Sequence, residues 1–189
     1  MEAVDTPAMP RGATFWPLSI SAYHFLVESG LIPKKAELLY GFVYNKFSGS
    51  PLHSYLLQAM QEAISRSLPP GKLLRTEQPI TCGDSEPEPD LAVVTGSKLQ
   101  YRTSHPNSAE LVVEICVTSH DYDRLKLRAY ATAGVKECWY VLGPEKQIEV
   151  FSEPANGKFS EHRILKLGDA LTCPDLSNFS MKLDELFSE

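Results

Sequence analysis

The stretch that decides the fold runs from Glu110 to Lys126 and reads ELVVEICVTSHDYDRLK. Its first part is a nearly continuous run of Val, Ile and Leu, which is typical of a strand covered on both faces. Glu114 is the one charged residue inside that run. Because an unpaired buried carboxylate is costly, we expect Glu114 to be paired, protonated or bound to a metal ion. A buried salt bridge, or a position at a solvated strand end, is the structural alternative.

The size and composition of the chain favour a soluble globular protein. It has 189 residues, of which 43% are hydrophobic and 22% charged, and we expect one domain over residues 15–189 after a loose tail at 1–14. The net charge of −6 opposes wholesale non-specific binding to nucleic acid but leaves room for a local basic groove. No apolar run approaches the roughly 20 residues of a membrane span, and the N-terminus lacks the apolar core of a signal peptide, so we expect no membrane association.

The four cysteines form no Cys-x-x-Cys pair, and three of them lie in or beside apolar runs; they are Cys82, Cys116, Cys138 and Cys173. This pattern favours reduced, buried core thiols over a zinc site or disulfides. A cytoplasmic location follows as an expectation.

Turn residues divide the rest of the chain into helical and strand patterns. The predicted helices comprise a segment capped by Ser19 and running through Val27, one opened by Pro51 and ended by Pro69, then Asp121–Ala133 and Leu183–Phe187. The predicted strands comprise a hairpin or bent strand over Ala36–Tyr40 and Phe42–Phe47, then Lys72–Cys82 with an interruption at Pro79, Leu91–Val94, Glu110–Val117, Val135–Leu142, and a hairpin of Ile148–Ser152 with Lys158–Leu165 about Asn156-Gly157.

Asp90 and Glu114 are the first candidates for a site. Asp90 directly precedes a short buried strand, and Glu114 lies near the end of another, 24 residues later. If these strands are antiparallel neighbours, the two carboxylates meet at one edge of the sheet. Such an acid pair needs a shared proton or a cation. Mg²⁺ prefers oxygen ligands, and the backbone carbonyl of Ile115 could supply another.

Lys126 lies in the second turn of the helix that follows and could point back toward the acid pair. There it could orient an attacking water and offset negative charge on a phosphate. The alternative is an exposed helix salt bridge with Asp123, worth a few tenths of a kcal/mol. His53 has two interpretations as well, a phosphate or water contact or simply a polar residue near a helix cap. Glu37 likewise can be interpreted either as a functional residue or as a structural one.

An ordered set of short segments resembles the Uma-type family of restriction-endonuclease-like proteins, within the PD-(D/E)XK nuclease superfamily. The matching segments extend from about Ala36 to Phe187 and read AELLYG (36–41), PLH (51–53), QPI (78–80), EPDLAVV (88–94), ELVVEI (110–115), DRLK (123–126) with Tyr130, GVKECW (134–139) and LDELF (183–187).

The resemblance implies an α/β (α+β) fold with a restriction-endonuclease-like core, in which a central mixed β-sheet is flanked by helices. It implies a divalent-metal site built from Asp90 and Glu114, with Glu37 as an auxiliary acid. In much of the superfamily a Lys lies two residues after the Glu, on the same strand face. Cys116 occupies that position here, and the resemblance implies that Lys126 has taken over from the following helix.

Two segments depart from the family pattern. The family's Asp-Gly-Glu is here Tyr40-Gly41-Phe42, and its Ser-Pro-Ser is here Val117-Thr118-Ser119. The first change removes a further acid.

We also expect substrate contacts from His53, Gln78 and Arg124.

The leading functional hypothesis is a Mg²⁺-dependent DNA endonuclease in which Mn²⁺ can substitute for Mg²⁺. A homodimer is expected because a duplex has two strands to cut. The alternative is a nuclease-fold protein with weakened or lost activity that acts as a nucleic-acid-binding or assembly module. A metal hydrolase acting on a small phosphorylated substrate would use the same residues.

Overall fold

The fold is described by a computed structural model that covers residues 12, 14–46, 49–118 and 120–188. The helices are α1 (Ile20–Glu28), α2 (Pro51–Arg66), α3 (His120–Thr132) and α4 (Leu183–Leu186). The strands are β1 (Ala36–Leu39), β2 (Phe42–Asn45), β3 (Lys72–Thr76), β4 (Leu91–Thr95), β5 (Leu111–Cys116), β6 (Glu137–Leu142), β7 (Gln147–Ala155), β8 (Lys158–Leu165), β9 (Ala170–Thr172) and β10 (Ser180–Lys182).

A six-stranded sheet in the order β3-β4-β5-β6-β7-β8 forms the centre of the described chain. Neighbouring strands are antiparallel except for the parallel pair β5 and β6. Parallel neighbours need a crossover connection, and α3 provides it. The predicted central mixed sheet flanked by helices is confirmed.

Alternation along β5 separates two layers of the core. Leu111, Val113 and Ile115 pack in the cluster that contains the buried side chains of α2, whereas Val112 and Cys116 pack in the cluster that contains those of α3. Glu114 therefore belongs to the face of the sheet that α3 covers. This placement brings the end of β5 and the start of α3 together on one side.

Two hairpins, β1–β2 and β7–β8, follow their turn residues. Asn156 and Gly157 have φ angles of 51° and 72°, as a two-residue type I′ turn requires, which confirms the predicted β7–β8 hairpin. Tyr40 and Gly41 make the same kind of turn between β1 and β2, with φ angles of 55° and 80°.

Three features differ from the sequence-based expectation or lie beyond it. The predicted strand Lys72–Cys82 was wrong beyond Thr76, because Glu77 adopts a φ of 47° and leaves the extended conformation. Strands β9 and β10 were not predicted. The proposed tail at 1–14, apart from residues 12 and 14, and the end of the predicted strand at Phe47 lie outside the described residues.

All four cysteines are free and buried, which confirms the expectation of reduced core thiols. None of the described helices combines the length and apolarity that a membrane crossing demands.

Candidate active site

Two acidic side chains from adjacent strands lie at one edge of the sheet. Asp90 directly precedes β4, and Glu114 lies in β5, which pairs antiparallel with β4 through Leu91 and Val113. The backbone N–H of Ile115 donates a hydrogen bond to Asp90 Oδ2 at 2.6 Å. The Asp90 carboxylate is therefore fixed against the strand that carries Glu114. Asp90, Glu114 and Ile115 line one cavity of about 50 Å³.

Lys126 reaches this cavity from α3 and is 3% exposed. Its Nζ lies 3.2 Å from Glu114 Oε1, 3.3 Å from Glu37 Oε2 and 3.3 Å from Asp123 Oδ1. The pair with Asp123 that spacing suggested does form, but it is buried and shared rather than exposed. One ammonium group thus joins carboxylates from β1, β5 and α3.

Glu37 is fully buried although it lies in the small β1–β2 hairpin rather than in the central sheet. Its Oε1 accepts a hydrogen bond from the backbone N–H of Glu88 at 2.8 Å, and its Oε2 accepts one from the hydroxyl of Tyr122. Both carboxylate oxygens are therefore held, and Oε2 also faces Lys126.

Two tyrosines of α3 position the carboxylates, and the sequence argument gave neither of them a role. The Tyr130 hydroxyl donates to Glu114 Oε1 at 2.6 Å, and the Tyr122 hydroxyl donates to Glu37. Tyr122, Lys126 and Tyr130 follow one another at intervals of four residues, so they share one face of the helix. That interval of four residues is the sequence signal that could have identified the two tyrosines.

The electrostatics of the cavity are dominated by burial and crowding. Burial raises the pKa of Glu114 well above its usual range; Lys126 opposes this, while the charges of Asp123, Asp90 and Glu37 add to it. Burial alone would lower the pKa of Lys126, but the surrounding carboxylates, led by Glu114, raise it well above its ordinary value. Lys126 therefore stays protonated, and Glu114 retains a proton more readily than an exposed glutamate.

His53 approaches Asp90 from the first turn of α2. Its Nε2 lies 3.2 Å from each oxygen of the Asp90 carboxylate, and this hydrogen bond raises the pKa of the imidazole. Ser50 caps the helix by accepting from the backbone N–H of His53. Lys46 and Glu88 also line the cavity and form an ion pair of 2.8 Å.

Gln78 and Arg124 are not brought to this cavity. Gln78 is exposed just after β3. Arg124 points to β7, where its Nη2 lies 2.6 and 2.7 Å from the two oxygens of Glu149. Neither residue belongs to the cavity lining that the structure describes.

The positions that depart from the family pattern have structural roles. The Tyr40 hydroxyl donates to the backbone carbonyl of Leu125 at 2.7 Å, and Arg128 lies over its ring at 4.2 Å, so Tyr40 ties the β1–β2 hairpin to α3. Val117 and Thr118 line the cavity, while Ser119 lies outside the described residues. Burial raises the pKa of the Cys116 thiol, which keeps it uncharged.

The charge balance of the cavity favours a cation. Among the described residues its lining holds five carboxylates and two ammonium groups, an excess of three negative charges if all are ionised; these are Glu37, Glu88, Asp90, Glu114, Asp123, Lys46 and Lys126. The described chain contains no group of three His, Cys, Asp or Glu side chains arranged to hold a metal ion. Mg²⁺, however, needs only one or two carboxylates beside water and substrate oxygens. Asp90, Glu114 and the Ile115 carbonyl match that donor set.

Comparison with known proteins gives a family and solved structures of similar fold. The model of the Uma2 family, described as "Putative restriction endonuclease", matches residues 31–184. A crystal structure at 1.96 Å resolution of "a putative nuclease belonging to DUF820" from Anabaena variabilis ATCC 29413 superimposes with a TM-score of 0.76 at 16% sequence identity. The match covers 91% of this chain and 98% of that one, and at this identity it shows a shared fold. No curated protein matches the chain.

Proposed function

The chain belongs to the Uma2 family, and from that premise we propose that it is a Mg²⁺-dependent endonuclease that hydrolyses phosphodiester bonds in DNA. One observation carries the proposal: Asp90, Glu114, Lys126 and Glu37 line the same small cavity. Carboxylate oxygens suit a hard divalent cation, and an ammonium group suits the negative charge that develops on a phosphate.

Each of these residues would have a distinct role. Asp90, Glu114 and the Ile115 carbonyl would hold Mg²⁺, or Mn²⁺ in its place. The bound ion supplies a coordinated water of lowered pKa and Lewis acidity toward the phosphate. Lys126 would hold the attacking water in line and offset charge on the phosphate oxygens. Glu37 would keep the Lys126 ammonium in position, and His53 would orient Asp90.

Cleavage of supercoiled plasmid tests the proposal. The wild-type protein should nick or linearise plasmid with Mg²⁺ or Mn²⁺ and not with EDTA. Asp90→Asn and Lys126→Met should each lower the rate by about 10²–10³-fold, the usual loss when a group that stabilises developing charge is removed. Asp121→Asn is the matched control, since Asp121 is an exposed residue of α3 outside the cavity. Equal cleavage by all four proteins would remove the catalytic assignment.

A second function is favoured by the way the cavity is already occupied by protein contacts. Lys126 lies within 3.3 Å of three carboxylates, and the Asp-Gly-Glu acids are replaced by Tyr40 and Phe42. Both features suit a nuclease-fold protein that binds or assembles on nucleic acid without cutting it. Retention of plasmid in a gel-shift assay, with no cleavage under any divalent ion, would favour this function.

We also propose that the protein acts as a homodimer in the cytoplasm. Cutting a duplex requires two hydrolytic events, and two copies would supply two cavities. Four free thiols suit a reducing compartment. Light scattering coupled to gel filtration should give twice the 21.0 kDa mass of the chain, and a monomer at micromolar concentration would contradict the dimer.

A further inference from the structure

Arg75 is a buried cation with no acidic partner in the part of the chain that the structure describes. It lies in β3 and is 5% exposed. Its Nη2 donates weakly to the Pro79 carbonyl at 3.4 Å and lies 3.3 Å from Nδ1 of His105, while its Nε is buried and bonded to none of the described residues. Its guanidinium also faces the ring of Tyr101 at 5.3 Å. Buried cations are normally paired, so these surroundings favour an anion.

His105 connects Arg75 to open space. Since Arg75 can only donate, Nδ1 of His105 must accept, which places the imidazole proton on Nε2. Burial lowers the pKa of His105, with Arg75 and His24 acting in the same direction and Glu86 opposing, so the neutral tautomer predominates near pH 7. His105 lines two cavities of about 310 and 490 Å³, and the Nε2–H group is the donor it can offer there.

The larger of these cavities is rich in hydrogen-bond donors. Its acidic lining residue is Glu86, whose carboxylate already accepts from His24 at 2.6 Å and from Thr81 at 3.1 Å. Tyr101 also lines it, but its hydroxyl already donates to the Thr95 carbonyl. The remaining polar side chains of the lining, beside His105, can donate to an oxyanion; they are Arg102, Thr103, Ser104 and Asn107. Arg102 adds a second positive charge at the exposed rim.

These cavities adjoin the candidate active site. Glu88 lines both the active-site cavity and the 310 Å³ cavity, and its backbone N–H holds the Glu37 carboxylate. The two outer cavities share His24, Glu86 and His105. Glu88 therefore lies at the boundary between the active-site cavity and the cavities that His105 lines.

We propose that the cavity between α1 and the loop at 96–108 is a phosphate subsite, in which His105 and Arg102 bind a phosphate group and Arg75 supports it from behind. The ligand is a backbone phosphate of the nucleic-acid strand, further along from the bond that is cut. The assignment to a strand rests on the proposed nuclease function, whereas the phosphate chemistry rests on the cavity alone.

A titration with inorganic phosphate in EDTA tests the chemistry. Imidazole nitrogens observed by long-range ¹H–¹⁵N NMR should show a saturable shift of His105 Nε2. Arg102→Gln should weaken binding by about tenfold, as expected for a lost charge-assisted contact, while Lys98→Gln, a matched exposed position in the same loop outside the cavities, should not. Arg75→Gln should remove the shift; because that change alters a buried side chain, Arg102→Gln keeps the test independent of folding. A wild-type titration without a saturable shift of His105 would overturn the subsite.

Fluorescence anisotropy with a short single-stranded oligonucleotide, again in EDTA, tests the source of the phosphate. Arg102→Gln should weaken binding about tenfold and lower the slope of log K against log salt by about one. Saturable binding of inorganic phosphate together with unchanged oligonucleotide affinity would overturn the strand assignment and favour a free phosphate. A protein that binds phosphate at His105 but never cuts plasmid with Mg²⁺ would refute the nuclease proposal and leave the subsite standing.

Discussion

Replacing Lys126 with Met should destabilise the protein more than most single substitutions. The change removes the ammonium that faces Glu37, Glu114 and Asp123 at 3.2–3.3 Å, while a side chain of similar length keeps most of the packing. Removing one partner of a buried ion pair costs about 3–5 kcal/mol, because the other charge stays buried and unpaired. For a chain of this size, that corresponds to a fall in Tm of about 6–20 °C.

The loss should depend on pH, with a definite sign. Burial raises the pKa of Glu114 even while Lys126 is present, and without the ammonium it should rise further. A carboxyl group whose pKa is higher in the folded than in the unfolded state binds more protons when folded, so the free energy of unfolding falls as pH rises through that range. The deficit of the variant relative to wild type should therefore be larger at about pH 8 than at about pH 5.

Urea unfolding of both proteins at the two pH values measures this difference. Lys98→Met is the matched control, since Lys98 is exposed and its loss should change the free energy of unfolding by less than about 0.5 kcal/mol. The reasoning would be refuted if Lys126→Met unfolds within about 1 kcal/mol of wild type at pH 8, or if its deficit is larger at pH 5.

Three further predictions concern other contacts. Glu110→Gln should lower the free energy of unfolding by about 2 kcal/mol at pH 7. Burial would raise the pKa of Glu110, but Lys136, Lys72 and Thr95 lower it to about 2, so this stabilisation is present above about pH 4.5 and is lost toward pH 2. A difference in urea unfolding that does not change with pH would contradict this prediction. Tyr130→Phe should lower the rate of plasmid cleavage about tenfold, because Glu114 loses the hydrogen bond that positions it. Tyr55→Phe, at a half-exposed tyrosine, should not change the rate. Equal rates for the two variants would show that Tyr130 does not position Glu114 for cleavage. Gly41→Ala should lower Tm more than Gly71→Ala. Both glycines have a φ of 80°, but only a Cβ added at Gly41 would meet another atom closely, the Cβ of Pro17 at 2.3 Å. Equal Tm values for the two variants would contradict this prediction.

The parts of the fold that the sequence predicted are those in which local chemistry and long-range packing agree. The apolar run before Cys116 is buried on both faces, and the Asn156-Gly157 pair satisfies a type I′ turn by itself. Strands β9 and β10 were missed because three residues are too few to show alternation. The predicted strand after Lys72 extended too far because nothing local announces the positive φ of Glu77.

The convergence of Asp90 and Glu114 was accessible because it depends only on two strands being antiparallel neighbours. The helical interval of four that links Lys126 to Tyr122 and Tyr130 was also present in the sequence, but the sequence argument did not use it. The contact between Glu37 and Lys126 was not accessible in this way. It requires the β1–β2 hairpin to dock on α3, a contact between segments about 85 residues apart in the chain.

That docking explains how a lysine on a helix can serve a site whose acids lie on strands. An ammonium at the end of a long, flexible side chain loses conformational entropy when it is fixed. Its own helix supplies the Asp123 carboxylate and the face of the Tyr122 ring to hold it. The hairpin adds Glu37, itself fixed by Glu88 and Tyr122, at 3.3 Å from the Lys126 ammonium. Glu37 and Lys126 therefore act as one electrostatic unit: losing Lys126 leaves Glu37 buried without its cation, and losing Glu37 removes one of the three carboxylates around Lys126. Substitutions at the two positions should for that reason be strongly non-additive, and the hairpin is as much a part of the candidate active site as the central strands.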